Sequence, residues 1–470
     1  MSISRRFSTW VLTGLLLLLG PSCRPALATD RAAWLTQKLS AADAGLAPAQ
    51  RAEKYATMAE SPFAFFRGSA SLFWLDFGTA PQLRVFGGTV ATRTWIVGDA
   101  HPQNFGAFAD ARGRIVYDLN DFDEAVLADY QLDVWRLATA LVLAMREQGP
   151  FSPADEATVL DAFSQRYLDT LAACVGNDRE LQTVVTAENS YGKLDEFLAH
   201  VQKKRSRKRL LDTYTQLAAG GRVLSPQVSA DLQAVPAPLA SAISAALPGY
   251  GQTLRGSLRY SPSYFAVKSV AQRLHAGLGS LGTPRYYVLI EGPTSSPDDD
   301  IILDIKGQGA PSAYRNLDAE AQAATEAASG KNPAQRVVLA TRSLGLQVDD
   351  FVGVLALSGA PYSVRERSPW KDTLDLANLS TVEKMRKLSE QWAAILAHAH
   401  ARADADARPH GSPILVEFEA EVTRRTLGKH PDFRSLVRTI ALANAAQVTD
   451  DYRAFLKAFP PAPSPSRPTP

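Results

Sequence analysis

The stretch Val97-Gly98-Asp99-Ala100-His101-Pro102-Gln103-Asn104 lies between two candidate β-strands, and the prediction of the fold starts from it. Residues 85–97 are rich in Val, Thr and Trp, which favour strands, and residues 114–117 form a second, shorter strand candidate. Asp99 and Asn104 are five positions apart, so one tight loop can direct a carboxylate and an amide oxygen into the same space. The alternative is a polar loop that only joins two strands.

A second polar segment, Asp118-Leu119-Asn120-Asp121-Phe122-Asp123-Glu124, follows the shorter strand candidate. Its four carboxylates repel one another unless a cation or an arginine offsets their charge. Protein kinases have a catalytic-loop Asp that accepts the hydroxyl proton, an Asn five positions later that holds a metal ion, and a metal-binding Asp soon afterwards. This order predicts Asp99 as the catalytic base. It predicts four metal-binding residues: Asn104, Asp118, Asp121 and Asp123. A solvated acidic turn is the alternative.

A third signal is the glycine-rich stretch Ala276-Gly277-Leu278-Gly279-Ser280-Leu281-Gly282. Two apolar strand candidates follow it, residues 286–290 and 301–305, and a polar turn segment between them predicts a hairpin. Lys306 ends the second strand. In the small lobe of a kinase a glycine-rich loop covers the phosphates and a strand lysine pairs with them. The predicted phosphate-binding residues are Gly277, Gly279, Ser280, Gly282 and Lys306, with Glu320 and Glu326 as candidate partners of the lysine. A simple turn and a solvated strand end are the alternatives.

Arg67 has two interpretations, whereas Arg136 is expected to be structural. Arg67 ends the aromatic cluster Phe63-Ala64-Phe65-Phe66 and either clamps a phosphate or carboxylate of a cofactor, or pairs with Asp123 or Glu124. Asp133 and Arg136 are three apart on a predicted helix, where they can pair with each other.

The order of these segments predicts the fold class. In kinases the glycine-rich loop and its lysine precede the catalytic loop, whereas here they follow it. A predicted helix over residues 381–403 resembles the helix that leads into the catalytic loop of aminoglycoside phosphotransferases. We therefore expect an α+β, protein-kinase-like two-lobe fold in circularly permuted order, with a helix-rich large lobe and a small antiparallel-sheet lobe.

The expected divisions follow the pattern of candidate helices and strands. The large lobe takes residues 29–250, with a helix over 125–147 and further helices to about 247; the small lobe takes 251–370; residues 371–459 return to the large lobe; and 460–470 are a disordered Pro/Ser-rich tail.

The first residues predict export from the cytoplasm. Arg5 and Arg6 precede a short apolar run over residues 10–19, and Ala26-Leu27-Ala28 offers a small-x-small cleavage site. We expect a signal peptide over residues 1–28 and a periplasmic protein; the alternative is an uncleaved segment, which would be its one contact with a membrane. A net charge of +2 over 470 residues gives no electrostatic reason to propose nucleic acid as a partner.

Several segments together resemble a bacterial family called domain of unknown function 2252. They are residues 61–68, 98–106, 118–125 and 133–137 in that order, followed by 277–306 and Tyr362-Ser363-Val364-Arg365-Glu366-Arg367. The resemblance covers most of residues 50–410. The resemblance implies a relationship to kinase-like phosphotransferases. It therefore also implies a site for Mg²⁺ and for ATP or a similar nucleotide.

Three functions remain open from the sequence. The first is an exported phosphotransferase that acts on an unknown small-molecule substrate. The second is a nucleotide-binding pseudoenzyme or another binding protein. The third is a metal-dependent hydrolase in which the acidic segment and His101, as a second catalytic residue, act on water.

Overall fold

The computed structural model describes residues 28–255, 260–274, 277, 281–403 and 417–460. These residues form a mixed α+β structure with one larger antiparallel sheet and several small ones. The helices are α1 (Ala28–Ala42), α2 (Pro48–Met58), α3 (Pro62–Gly68), α4 (Ala70–Phe77), α5 (Gln131–Gln148), α6 (Pro153–Cys174), α7 (Arg179–Gln182), α8 (Lys193–Lys204), α9 (Arg207–Tyr214), α10 (Ala237–Gly251), α11 (Ala319–Ser329), α12 (Pro333–Leu344), α13 (Val382–Arg402), α14 (Phe418–Thr426) and α15 (His430–Ala458). The strands are β1 (Arg93–Ile96), β2 (Phe105–Ala109), β3 (Ile115–Leu119), β4 (Val126–Asp129), β5 (Thr215–Ala218), β6 (Gly221–Leu224), β7 (Leu232–Ala234), β8 (Val267–Arg273), β9 (Arg285–Ile290), β10 (Ile301–Gly307), β11 (Gly353–Leu357) and β12 (Ala360–Glu366).

The larger sheet has the strand order β7-β8-β9-β10-β12-β11, and every neighbouring pair is antiparallel. The predicted hairpin of β9 and β10 is confirmed, with Leu303 opposite Val288. All six residues of β9 are buried, because α10 packs its apolar side chains on one face of the sheet and α9 packs on the other. A strand buried on both faces has a continuous apolar run rather than an alternating one.

A helical core holds the rest of the described chain together. Every residue of α5 from Gln131 to Met145 is buried, since α15, α6 and α3 pack around it. α13 packs along α6 and buries most of its C-terminal half. A helix that is apolar on all sides belongs in the interior, which explains why residues 137–145 carry no charge.

Two parts of the predicted helical region are wrong. The helix expected over 125–147 begins only at Gln131, because Val126–Asp129 form β4 and pair with β1. Further on, β5, β6 and β7 interrupt the helices expected up to about residue 247. The apolar run at β4 is compatible with a helix or a strand. A local sequence pattern does not predict the pairing of β4 with residues about thirty positions earlier.

Some predictions fall on residues that are not described. The signal peptide over 1–28 and the tail over 460–470 lie outside the described residues, apart from Ala28 and Pro460, and so do Gly279 and Ser280. In the portion of the chain that is described, no helix has the length and apolar character needed to cross a membrane.

Candidate active site

Two short antiparallel strand pairs bring the two polar segments side by side. β2 begins directly after Asn104 and pairs with β3, and the backbone nitrogen of Asn120 donates a 3.0 Å hydrogen bond to the carbonyl oxygen of Asn104. β1 ends at Ile96, which lies opposite Val126 at the start of β4. Residues 97–104 and 120–125 each connect one strand pair to the other, so their positions are fixed at both ends.

The side chains of these two segments line one cleft of about 260 Å³. Five residues of the predicted site are in its wall: Arg67, Asp99, Asn104, Asp121 and Asp123. Glu124, a candidate partner of Arg67, also lines it, and so do polar groups that the sequence analysis did not single out: Asp43, Lys54, Ser312 and Arg315. The structure therefore gives these side chains a common space, while the roles assigned to them stay predictions.

Asp99 is held by a buried arginine. Nε of Arg136 donates a 2.7 Å hydrogen bond to Oδ1 of Asp99, and Nη2 donates to the same oxygen. The side chain of Arg136 is fully buried, whereas that of Asp99 keeps 18% of its exposure. Burial raises the pKa of Asp99, and the two arginines that face it, Arg136 and Arg67, oppose that shift. A fixed carboxylate with a raised pKa suits a general base.

Asn104 and Asp121 supply oxygen atoms of the kind that Mg²⁺ prefers. Nδ2 of Asn104 donates a 2.8 Å hydrogen bond to the carbonyl oxygen of Asp99, so the amide oxygen remains as the acceptor. Asp121 accepts one long hydrogen bond, 3.4 Å from the backbone nitrogen of Asp123, and forms no ion pair among the described residues.

The described residues contain no group of three or more His, Cys, Asp and Glu side chains arranged to hold a metal ion. Mg²⁺ is usually bound by one or two carboxylates together with water and substrate phosphates. Asn104 and Asp121 therefore fit a magnesium ion that arrives with a phosphate ligand, and they do not fit a metal cage built by protein alone.

Asp123 is neutralised from the larger sheet. Lys306, near the end of β10, forms an ion pair with Oδ2 of Asp123, and Nε2 of Gln308 donates a 2.9 Å hydrogen bond to Oδ1. Burial alone would raise the pKa of Asp123, but Lys306 and Gln308 lower it below its ordinary range. The suggested lysine partners are wrong, because β10 ends beside the acidic segment, whereas Glu320 faces Arg93 at 3.4 Å.

His101 and Asp118 lie outside the lining of the cleft. His101 is buried, and its Nδ1 accepts a 3.2 Å hydrogen bond from the backbone nitrogen of Gln103. Burial lowers the pKa of His101 well below its ordinary value, so the ring is neutral. Asp118 is also buried, on β3, where Nη1 of Arg402 donates a 3.2 Å hydrogen bond to its carboxylate.

The glycine-rich stretch reaches the rim of the cleft at its described end. Leu281 lines the cleft, and Gly282 lies so close to the loop after α1 that a Cβ there would be 2.5 Å from Cδ2 of Leu46. Gly282 has φ of +78° and Gly277 has φ of +103°, a region of backbone conformation that favours glycine. A side chain at either glycine would therefore strain the backbone.

Arg67 has no hydrogen bond and no ion pair within the described part of the chain, and its Nε atom is buried. The bridge to Asp123 or Glu124 is therefore not formed. Burial lowers the pKa of Arg67, although Asp99 opposes the shift. The guanidinium carbon lies 5.8 Å from the centre of the Phe63 ring, and no described carboxylate is at ion-pair distance, so this arginine at the border of the cleft is suited to bind an anion.

Sequence reasoning missed the residues that support the site. Asp133 does not pair with Arg136; its carboxylate accepts hydrogen bonds from the backbone nitrogens of Val97 (2.7 Å) and Gly98 (2.9 Å). Arg336, on α12, donates to the carbonyl oxygens of Asp123 (2.6 Å) and Ala125 (2.5 Å). Asp133 and Arg136 lie in one of the segments used for the family resemblance, whereas no local pattern marks Arg336.

The comparisons with known proteins give one match. No curated protein and no solved structure matches the chain. The family model described as "Uncharacterized protein conserved in bacteria (DUF2252)" matches residues 46–458, a range that includes every residue of the cleft except Ala42, Asp43 and Gly45. Because the match covers most of the 470 residues, the chain belongs to the DUF2252 family of uncharacterised bacterial proteins.

Proposed function

We propose that this protein is a phosphotransferase that uses a magnesium nucleotide, ATP or a similar one, and a small hydroxylated acceptor. One observation carries the proposal: Asp99, Asn104 and Asp121, which come from two separate loops, line one cleft. A base and two oxygen ligands for magnesium are the groups that phosphoryl transfer requires of a protein.

The larger sheet supports a kinase-like arrangement in permuted order. The glycine-rich stretch lies between β8 and β9, and Lys306 lies on β10, the next strand of the same meander. Two helices, α11 and α12, follow, and then β11 and β12, of which β12 pairs with β10. In protein kinases a glycine-rich loop likewise precedes a strand that carries the phosphate-binding lysine. Lys306 next to Asp123 connects this sheet to the acidic segment.

Each residue has a separate role in the proposed reaction. Bound Mg²⁺ neutralises negative charge on the phosphate oxygens. Asn104 and Asp121 hold the ion, and Arg67 binds an anionic group in the same cleft. Oδ1 of Asp99 is occupied by Arg136, so Oδ2 is the atom that accepts the proton of the acceptor hydroxyl as its oxygen bonds to phosphorus and the nucleoside diphosphate leaves.

A hydrolase that relies on His101 is less well supported. His101 does not line the cleft, and its Nδ1 already accepts a hydrogen bond. A protein that binds a nucleotide without turnover uses the same residues, so only a measurement separates it from an enzyme. Export to the periplasm, where nucleotide is expected to be scarce, stays a prediction.

The test is magnesium-dependent nucleotide binding and turnover by the purified full chain. Calorimetry with ATP in the presence and absence of Mg²⁺ measures binding, and release of ADP measures slow transfer to water. We expect binding that requires Mg²⁺ and is weakened in Asp121→Asn. We expect Asp99→Asn to bind but to lose turnover by about 10²–10⁴-fold.

The matched control is Asp195→Asn, which changes an exposed carboxylate on α8 and should leave both readouts unchanged. Binding without any turnover would favour the pseudoenzyme. No binding of ATP at millimolar concentration, or binding that is unchanged in Asp121→Asn, would rule out the proposed site.

A further inference from the structure

A second cavity, of about 50 Å³, lies where β12 and the loop after it meet the β2–β3 hairpin and α12. It shares no lining residue with the cleft around Asp99. Asn120 and Phe122 of the acidic segment form part of its wall, so the two spaces adjoin the same segment. Phe108, Leu119 and Val348 are apolar residues of its lining.

Three other lining residues of the cavity are basic. Arg365, Arg367 and Lys371 line it, and none of the three forms an ion pair with a described residue. Nη1 of Arg365 donates a 2.8 Å hydrogen bond to the carbonyl oxygen of Asn120. The ammonium group of Lys371 has no hydrogen-bond partner in the described structure. Positive charge is therefore concentrated around a small space.

The carboxylates of the cavity are already engaged elsewhere. Asp304 forms an ion pair with Arg285, and Glu366 pairs with Arg207 at 2.6 Å. Oδ1 of Asp349 accepts hydrogen bonds from the backbone nitrogens of Phe351 (3.0 Å) and Glu366 (3.2 Å).

Counting those two arginine partners, five cations face the three carboxylates. The cluster thus contains two more basic side chains than acidic ones. Like charges that are partly removed from water repel one another strongly, because the surroundings screen them poorly. Burial lowers the pKa of Lys371 well below its ordinary value, and the neighbouring arginines Arg365, Arg367 and Arg285 lower it further. The ligand-free cavity therefore has an electrostatic cost that an anion removes.

We propose that this cavity binds a phosphate-type dianion through Arg365, Arg367 and Lys371. The excess of basic over acidic side chains favours an anion, and arginine and lysine are the side chains that most often bind phosphate oxygens. The volume holds roughly four water molecules, which is about the size of one phosphate group. The group belongs either to free phosphate or to a phosphorylated small molecule whose remaining part contacts the apolar residues of the lining. The proposal does not depend on the proposed function, since it uses no residue of the cleft.

The position of the site suggests how it acts on its surroundings. Arg365 lies opposite Asp304 in the register of β12 and β10, and it reaches the backbone of the acidic segment at Asn120. Arg365 and Arg367 are two residues apart on an extended segment, so their side chains lie on the same face. An anion held between them keeps Arg365 in contact with Asn120, one residue before Asp121.

The test uses inorganic phosphate as the probe and the purified full chain as the protein. Phosphate is titrated at constant ionic strength against chloride, and both the thermal midpoint of unfolding and the heat of binding are measured. Wild type should show saturable stabilisation. Lys371→Met should unfold at a higher temperature than wild type without phosphate, because repulsion is relieved, and should bind phosphate more than about tenfold more weakly.

The expected rise in the unfolding midpoint and fall in phosphate affinity distinguish a ligand-binding lysine from a structural one. Loss of a structural lysine would only lower the midpoint. Lys203→Met, which changes an exposed lysine on α8, should alter neither readout. Arg367→Gln repeats the affinity test if Lys371→Met folds poorly. A phosphate signal that survives in both variants, or that disappears in Arg67→Met, would place the anion elsewhere and overturn the proposal. Titration with phosphate monoesters distinguishes the two possible ligands. A monoester that binds wild type more tightly than phosphate does, and that loses this advantage in Lys371→Met, indicates a phosphorylated small molecule.

Discussion

Nε of Arg136 lies 2.7 Å from Oδ1 of Asp99 and connects the first turns of α5 to the loop after β1. The guanidinium group is fully buried, with its central carbon 4.2 Å from the centre of the Phe66 ring. One oxygen of Asp99 is therefore fixed, while the other is left near the cleft, 3.8 Å from Nε2 of His101. The pair sets both the position and the charge of the proposed base.

The pair predicts a large cost when only one partner is removed. Arg136→Met leaves the partly buried carboxylate of Asp99 without its hydrogen-bonded counter-charge. Breaking a fully buried pair typically destabilises a protein by about 3–5 kcal/mol, and the 18% exposure of Asp99 places this variant toward the lower end. Removal of both charges in Asp99→Asn/Arg136→Met should cost less than the sum of the single changes, with a coupling energy of about 1–3 kcal/mol. Urea unfolding of the four proteins measures this. Strict additivity would show that the two side chains do not interact.

Lys306 and Asp123 form a second pair with a testable pH dependence. Lys306→Met should destabilise the protein by about 2 kcal/mol near neutral pH, since Asp123 then remains charged and partly buried. The folded-state pKa of Asp123 lies below its ordinary value, so its stabilising contribution is present above about pH 4 and is lost as the pH falls further. The difference between wild type and variant should therefore shrink in acid.

The control for this pair is Lys193→Met, which breaks an exposed ion pair with Glu196 on α8. Exposed pairs contribute about 0–1 kcal/mol, so this variant should change little at any pH. Equal effects of the two substitutions, measured by urea unfolding from pH 3 to 8, would mean that Lys306 is a surface lysine in solution.

The sequence predicts which residues form the site better than it predicts the contacts between them. The spacing of Asp99 and Asn104 is local, and so is the alternation of Asp304 and Lys306 along β10, so both could be recognised from neighbouring residues. The contact of Lys306 with Asp123 joins residues 183 positions apart, and no local pattern encodes it. For the same reason the local pattern at β4 predicts the start of a helix, since its partner β1 lies about thirty residues earlier.

The helix α5 shows a second limit of local reasoning. Asp133 and Arg136 have the spacing at which helical side chains can pair, yet each finds a partner outside the helix. Asp133 caps the backbone at Val97 and Gly98, and Arg136 reaches Asp99, so both neighbours serve the same loop. Buried backbone N–H groups need acceptors, and only the assembled structure shows which side chain supplies them.

Gly98 is predicted to be intolerant of any side chain. Its φ is +78°, and a Cβ at this position would lie 2.1 Å from the carbonyl oxygen of Glu124. Gly113, in the turn between β2 and β3, has a similar φ of +75° but nothing within 4 Å. Gly113→Ala should therefore cost only the strain of the left-handed backbone, about 1–2 kcal/mol. Gly98→Ala should cost about 2 kcal/mol more, or prevent folding, because a backbone carbonyl must move. Chemical unfolding of both variants compares them directly, and equal costs would mean that the two loops are not in contact.

Asp349 provides the last prediction, a loss of stability as the pH rises. Burial and the nearby carboxylate of Glu366 raise the pKa of Asp349 to about 7, although Arg365 and two backbone N–H groups oppose the shift. In the unfolded chain an aspartate has a pKa of about 3.9. Between about pH 4 and pH 7 the folded protein therefore binds one more proton than the unfolded chain, and stability falls as the pH increases.

The variant Asp349→Asn tests this, because an amide keeps the Oδ1 acceptor used by Phe351 and Glu366 and has no charge to gain. Relative to wild type, the variant should gain about 4 kcal/mol between pH 4 and pH 8, with most of the gain below pH 7 and a plateau above it. Urea unfolding in chloride buffers without phosphate measures the two curves, since Asp349 also lines the proposed anion cavity. Asp195→Asn is the control for removal of a carboxylate at the surface, and its curve should run parallel to that of wild type. A wild-type curve parallel to that of Asp349→Asn across this range would show that Asp349 is charged in the folded protein. A charged Asp349 would also reduce the net positive charge around Lys371.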